Sequence, residues 1–152
     1  MSRQESELTG YCGLYCGDCI RYRSRAADLA GELLRELEET GFEEYALVKG
    51  RSSKELAHYG ETIKALEAIV GLRCNEPCRV GGGCPTFSCG ILECCRERGF
   101  KGCWECDEFE GCDKFDFLKP YHGDGPLQNL KKIRDSGLDK WVEHREKFYV
   151  WQ

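Results

Sequence analysis

The sequence predicts a mainly α-helical fold, with a helical hairpin and C-terminal helices around a loop-rich, cysteine-rich region. Three observations lead there. Apolar residues recur at three- and four-residue spacing in the middle and near the end of the chain. No apolar–polar alternation runs long enough for a half-buried strand. The 12 cysteines fall in two clusters, Cys12–Cys19 and Cys74–Cys112, separated by 54 residues that contain none.

A length of 152 residues suits one domain. It divides into an N-terminal Cys hook (1–20), a helical hairpin (21–71), a Cys-rich module (72–115) and C-terminal helices (116–152). In the hairpin, Leu29, Leu33, Leu34 and Leu37 form one stripe and Gly41 stops the helix. A second helix is capped by Ser52 or Ser53, with Glu55 in its first turn. It carries Leu56, Tyr59, Ile63, Leu66 and Val70, and Gly71 takes the C′ place. A short connection makes the pair antiparallel. Within the Cys-rich module, Ile91 and Leu92 mark a short helix closed by Gly99, and turns are predicted from Cys103 to Cys112. At the C-terminal end, Leu127, Leu130 and Ile133 share a face that Gly137 terminates. A last helix from about Leu138 carries Trp141, Val142 and Phe148.

Hydrophobic residues make up 41 % of the chain, low enough that cross-links in the Cys-rich third must supply part of the stability. The opening MSRQESELTG lacks the apolar core of a secretory signal, and no apolar run approaches the ~20 residues of a membrane span. The expectation is a cytoplasmic chain whose thiols stay reduced, which favours metal ligation over disulfides. Each closed site of four thiolates on Zn²⁺ adds −2, so two take the formal charge of −5 to −9 and three take it to −11. A field that negative argues against nucleic-acid partners. The short basic clusters at Arg21, Arg23, Arg25 and at Lys131, Lys132, Arg134 read as solvated helix faces.

Cys103-Trp104-Glu105-Cys106, followed by Cys112, has the spacing of a metal knuckle, in which two thiolates reach one ion at ~2.3 Å. A redox dithiol would need a strand before it and a helix after, and Gly99–Gly102 does not read as a strand. Cys12, Cys16 and Cys19 can hold three corners of a tetrahedron, with Gly13 and Gly17 supplying positive φ and a fourth ligand coming from the 74–112 region. The same spacing occurs in the iron–sulfur triad of radical S-adenosylmethionine enzymes, but a chain this short cannot supply their barrel. Cys74 and Cys78 are followed by Cys84, Cys89, Cys94 and Cys95. On a helix the last two point about 100° apart, so one ligates while the other packs as a small apolar residue. Gly81, Gly82 and Gly83 read as a tight wrap, since no Lys-Ser/Thr follows as in a phosphate loop. His58 and His144 read as surface residues, and His122 as a turn residue that ends a helix.

The ordered motifs CGLYCGDC, CNEPC-RVGGG, CGILECC and GCWECDEFEGC, with the tail Phe117–Asp124, Asn129-Leu130, Gly137-Leu138 and Trp141, resemble the domain of unknown function 3795 family. The resemblance implies a small, Cys-rich, metal-binding prokaryotic protein without an assigned activity. By position it implicates Cys12, Cys16, Cys19, Cys74, Cys78, Cys89, Cys94, Cys103, Cys106 and Cys112. Cys84 and Cys95 fit its pattern least well. Ten ligands do not divide by four, so two are spare, or Cys84, Cys95 or His122 completes a third site.

The leading expectation is a non-enzymatic zinc protein with two or three ions. The alternative is an iron–sulfur protein acting as electron carrier or small oxidoreductase, since thiolates hold both. A third reading, an enzyme with an open metal position, would draw on His122, Asp124 and a spare thiol such as Cys95. A protein partner or a second copy of the chain is compatible with the hairpin's apolar stripe.

Overall fold

The computed structural model describes residues 6–82, 88–145 and 149; Cys84 and Phe148 lie outside that set. Its elements are α-helices and 3₁₀ turns. The one β feature among the described residues is an isolated antiparallel bridge between Thr9 and Tyr15. The helices are α1 (Ile20–Arg23), α2 (Ala26–Glu39), α3 (Phe42–Lys49), α4 (Tyr59–Gly71), α5 (Gly90–Arg98), α6 (Lys119–His122), α7 (Gly125–Ser136) and α8 (Leu138–His144). Among the described residues, no helix is long and apolar enough to cross a membrane. The chain divides into two compact units, 23–73 and the remainder, with the second formed from both ends of the sequence.

The 23–73 unit is the predicted hairpin with one helix more. α2 is built from strong helix formers, Ala, Leu, Glu and Arg. Ser24 Oγ accepts the Ala26 N–H at 3.0 Å beside its start. Thr40 Oγ1 donates to the Glu36 carbonyl at its end, and Gly41 then turns the chain at φ +62°. That turn restarts a helix instead of opening a loop. Glu43 and Glu44 occupy the first turn of α3 and Lys49 its last, each complementing the helix dipole. Phe42 stacks on both Tyr45 and Tyr59, at centroid distances of 5.3 and 5.6 Å.

α2 and α4 run antiparallel. Asp28 near the start of α2 pairs with Arg73 just past α4 at 2.7 Å, and Phe42 just past α2 meets Tyr59 at the start of α4. Two predicted details differ. The buried side of α2 is Ala27, Ala30, Leu34 and Leu37, while Leu29 and Leu33 stand at its flank, 51 % and 46 % exposed. The small Ala27 and Ala30 let the helices approach, so the contact stripe is rotated toward them. α4 begins at Tyr59, after a separate 3₁₀ turn at Leu56–His58. Ser53 Oγ donates to Glu55 Oε2 instead of capping, and Gly71 is the last helical residue, not the one beyond it.

The larger unit winds around a core of Ile91, Cys95, Cys103, Phe109, Phe115 and Leu130. A second cluster joins Tyr15, Ile133, Trp141 and Val142. α5, α7 and α8 fall where periodicity places them, and 3₁₀ turns at Cys103–Glu105, Phe109–Gly111 and Asp113–Leu118 replace strands as predicted. The N-terminal hook is stitched to this core by groups far away in sequence. Cys103 N–H donates to Tyr11 O at 2.9 Å, and Asn129 Nδ2 donates to Gly13 O at 2.9 Å. Arg79 stacks on Tyr11 and lies near Trp104, donating to Thr9 O and Lys101 O.

Gly13 has φ +82°, as predicted, and a Cβ there would meet Leu130 at 3.1 Å. Gly17 does not adopt positive φ; it leaves room for the Tyr15 ring, which a Cβ would meet at 2.3 Å. The basic cluster on α7 lies at the surface but is partnered: Lys131 pairs with Glu110, and Arg134 lies over Phe109 and donates to the carbonyls of Trp104 and Cys106.

Asp18 is buried and takes two hydrogen bonds from Arg145, at 2.8 and 3.0 Å, while the guanidinium lies over Tyr15. Removing one partner strands a buried charge, which typically costs about 3–5 kcal/mol. An exposed pair such as Lys131–Glu110 contributes about 0–1 kcal/mol. Arg145→Ala therefore lowers unfolding stability several-fold more than Lys131→Ala in chemical denaturation; equal losses would contradict the packing described.

Candidate metal centre

The two cysteine clusters of the sequence become neighbours in the larger unit. The hook folds over itself through Gly10 N–H to Leu14 O and Cys16 N–H to Leu8 O, both at 2.7 Å. A 3₁₀ turn at Cys16–Asp18 and a Tyr22 N–H to Cys19 O bond continue the wrap. Cys74 N–H donates to Arg21 O at 3.2 Å, which brings the second cluster beside the first. After Cys78 the chain turns sharply at Gly81 and Gly82. Gly81 has φ +105°, and a Cβ on Gly82 would overlap Glu76 O, so the backbone approaches itself as closely as glycine permits.

Two groups of sulfur result. The first contains Cys12, Cys16, Cys19, Cys74, Cys78 and Cys89. Cys12 lies within electrostatic reach of Cys78, Cys89 and Cys16, and Cys16 within reach of Cys78, Cys19 and Cys74. A Cβ on Gly10 would stand 3.5 Å from the Cys12 sulfur and 3.6 Å from that of Cys78. Backbone N–H groups point at three of these sulfurs: Leu14 at Cys12, Cys78 at Cys16 and Tyr11 at Cys78. Burial, opposed by these bonds and reinforced by neighbouring sulfurs, pushes Cys12 and Cys16 up to about 12 and raises Cys78. Burial thus favours the neutral thiol at Cys12, Cys16 and Cys78.

The second group is Cys94, Cys95, Cys103, Cys106 and Cys112. All five line a cavity of about 30 Å³ whose other walls include Ile91, Phe100, Phe109 and Phe115. Cys95 and Cys103 face each other with sulfurs 3.5 Å apart. That contact raises Cys103, reinforced by burial, and lowers Cys95 against the effect of burial. Arg98 Nη1 points to the Cys106 sulfur at 3.8 Å on the solvent side, where Cys94, Cys106 and Cys112 also line an open groove.

Of the ten sequence-predicted ligands, Cys94, Cys103, Cys106 and Cys112 line one cavity, and the other six are linked by electrostatic reach, with Cys12 also within reach of Cys103. Cys95, which spacing ranked last, is 1 % exposed, with its sulfur in van der Waals contact with that of Cys103. Two thiolates on one tetrahedral Zn²⁺ stand roughly 3.8 Å apart, given ~2.3 Å bonds, and the Cys95–Cys103 pair is near that value. The signal available in sequence was Ile91, which shares a helix face with Cys95 at i+4 and fixes that face as the inward one.

Cys95 is also the thiol considered for an open enzyme site with His122 and Asp124. It lies inside the core, whereas His122 ends α6 and meets the edge of Tyr149 at 4.9 Å. Neither His122 nor Asp124 lines the cavity or the groove. His58 is exposed and pairs with Glu61, and His144 is exposed at the end of α8.

The donors fit a soft metal. The 11 described cysteines are free thiols, none in a disulfide. Backbone N–H groups are aimed at the sulfurs of Cys12, Cys16 and Cys78, and five of the other cysteines line the cavity of about 30 Å³. Among the described residues no three His, Cys, Asp or Glu side chains stand close enough to hold one ion.

Residues 8–117 match the family model for a protein of unknown function, DUF3795, and that span holds every cysteine of the chain. The chain belongs to this family. No curated protein and no solved structure matches it. The DUF3795 match ends just before α6, so α7 and α8, which clamp the hook through Asn129 and Arg145, lie beyond the matched span.

If Cys95 is a ligand, Cys95→Ser lowers metal content by up to one ion per chain. Elemental analysis beside His58→Ala, which leaves content unchanged, checks this. Full metal content in Cys95→Ser would return Cys95 to a packing role.

Proposed function

We propose that this DUF3795 protein is a small non-enzymatic metal-binding module, with zinc held by thiolates in two centres that serve mainly to fix the fold. The observation that supports the reading is the packing of free thiols from separated stretches, Cys12, Cys89, Cys95, Cys103, Cys106 and Cys112, in one core, with backbone N–H groups directed at the sulfurs of Cys12, Cys16 and Cys78. A thiol packed only for its apolarity needs no such donors, whereas a metal-bound thiolate is stabilised by them. Zinc suits closed sulfur sites and needs no redox partner.

Because the ligands lie far apart in sequence, binding free energy becomes folding free energy for the larger unit. The 23–73 unit contains no cysteine and draws on helix packing alone. Removing metal with a strong chelator is expected to unfold the larger unit while the helical signal of the 23–73 unit persists.

Anaerobic purification followed by elemental analysis tests the proposal. The expected result is two or three zinc ions per chain in a colourless solution. Brown protein with iron and acid-labile sulfide would replace zinc by an iron–sulfur cluster on the same thiols. Less than one metal ion per chain would overturn the proposal.

A further inference from the structure

We infer that Cys95 and Cys103 are a redox pair: a small hydroperoxide joins them in a disulfide, and the second group of sulfurs holds an ion only while both are reduced. The pairing stands on geometry; the control of metal rests on the thiolate binding proposed above.

The two sulfurs come from segments that the chain anchors separately. Cys95 lies in α5, which Gly99 ends at φ +70°, and Phe100 N–H donates to Cys95 O at 2.8 Å, so the chain reverses directly after the helix. Cys103 is held from outside that reversal, its N–H donating to Tyr11 O at 2.9 Å. The sulfurs meet at 3.5 Å in the core, with Cys95 1 % and Cys103 9 % exposed. Closing that gap to a bond of ~2.05 Å asks each sulfur to move about 0.7 Å, within reach of a small side-chain rotation. Among the described residues no third His, Cys, Asp or Glu side chain completes a metal-holding set with them.

The surroundings select the oxidant. Both sulfurs line the cavity of about 30 Å³ beside Ile91, Phe109 and Phe115. A water-sized molecule needs ~10–15 Å³, so hydrogen peroxide fits where a peptide disulfide does not. Cys94, Cys106 and Cys112 wall both this cavity and the open groove, which makes them the layer between the pair and solvent.

The reaction balances with peroxide alone. One sulfur attacks the peroxide O–O bond and keeps one hydroxyl as a sulfenic acid; the other leaves as hydroxide and takes that thiol's proton, giving water. The partner sulfur then attacks the sulfenic sulfur. The S–O bond breaks, and hydroxide departs with the second thiol's proton as another water. Two electrons pass from two thiols to one peroxide. The disulfide removes two of the five thiols that line the cavity, leaving Cys94, Cys106 and Cys112, too few to close a four-sulfur site.

Titration of the full chain, as purified, with hydrogen peroxide tests this, with the remaining thiols alkylated in denaturant and the linked residues mapped by fragment-ion mass spectrometry. The expected first product is a Cys95–Cys103 link, with two thiols lost per chain, one ion released to a colorimetric chelator, and the thiols restored by dithiothreitol. Cys95→Ala is expected to abolish the link and Cys94→Ala to retain it. Should Cys95→Ala fail to fold, the map of the unaltered chain decides the matter. A first product that links other cysteines, or Cys95 carried on to sulfinic acid without a link, would overturn the pair. A link formed with all bound metal retained would overturn the control of metal alone. A link in protein that never held metal would leave the pair standing and overturn the proposed function.

Discussion

The larger unit depends on one constraint: sulfur atoms from three separated stretches must be packed beside one another and still be stable. Buried, closely spaced thiols push one another toward the neutral form, as the raised Cys12, Cys16 and Cys78 show. The hook is held there by bonds that have nothing to do with sulfur. Asn129 and Cys103 take hold of its backbone carbonyls, Arg79 braces it against Trp104, and Arg145 locks Asp18. The unit forms from both chain ends because the hook packs Tyr11, Cys12 and Tyr15 against the apolar clusters that the 89–142 stretch supplies.

The 23–73 unit follows different physics. Its three helices use alanine-rich contact, one aromatic cluster and one partly exposed ion pair, and it has no sulfur at all. Helices of this length are marginal alone, so the α2–α4 contact supplies most of their stability.

The sequence made the helical periods of α2, α4, α5, α7 and α8 legible because each carries a repeating apolar face. It concealed α3, whose apolar residues show no single stripe: Leu47 and Val48 are exposed while Ala46 is buried. It also misled on Leu29 and Leu33, because hydrophobicity alone cannot say that the smaller alanines form the contact. At the site, spacing picked out ten candidate cysteines but not their neighbours, which depend on long-range bonds such as Cys74 to Arg21 and Cys103 to Tyr11. Adjacent cysteines on a helix point apart, and only the position of the Cys103 sulfur reveals that Cys95 is the one facing the core. Gly17 was assigned positive φ when its role is to make room for Tyr15, a contact invisible in the motif itself.

The most direct test of the central claim is X-ray absorption at the metal edge of protein purified without added metal or oxygen. The account predicts a first shell of sulfur alone, about four atoms per ion at ~2.3 Å. A shell dominated by nitrogen or oxygen, or a preparation whose cysteines prove to be joined as disulfides with no metal edge to measure, would contradict it.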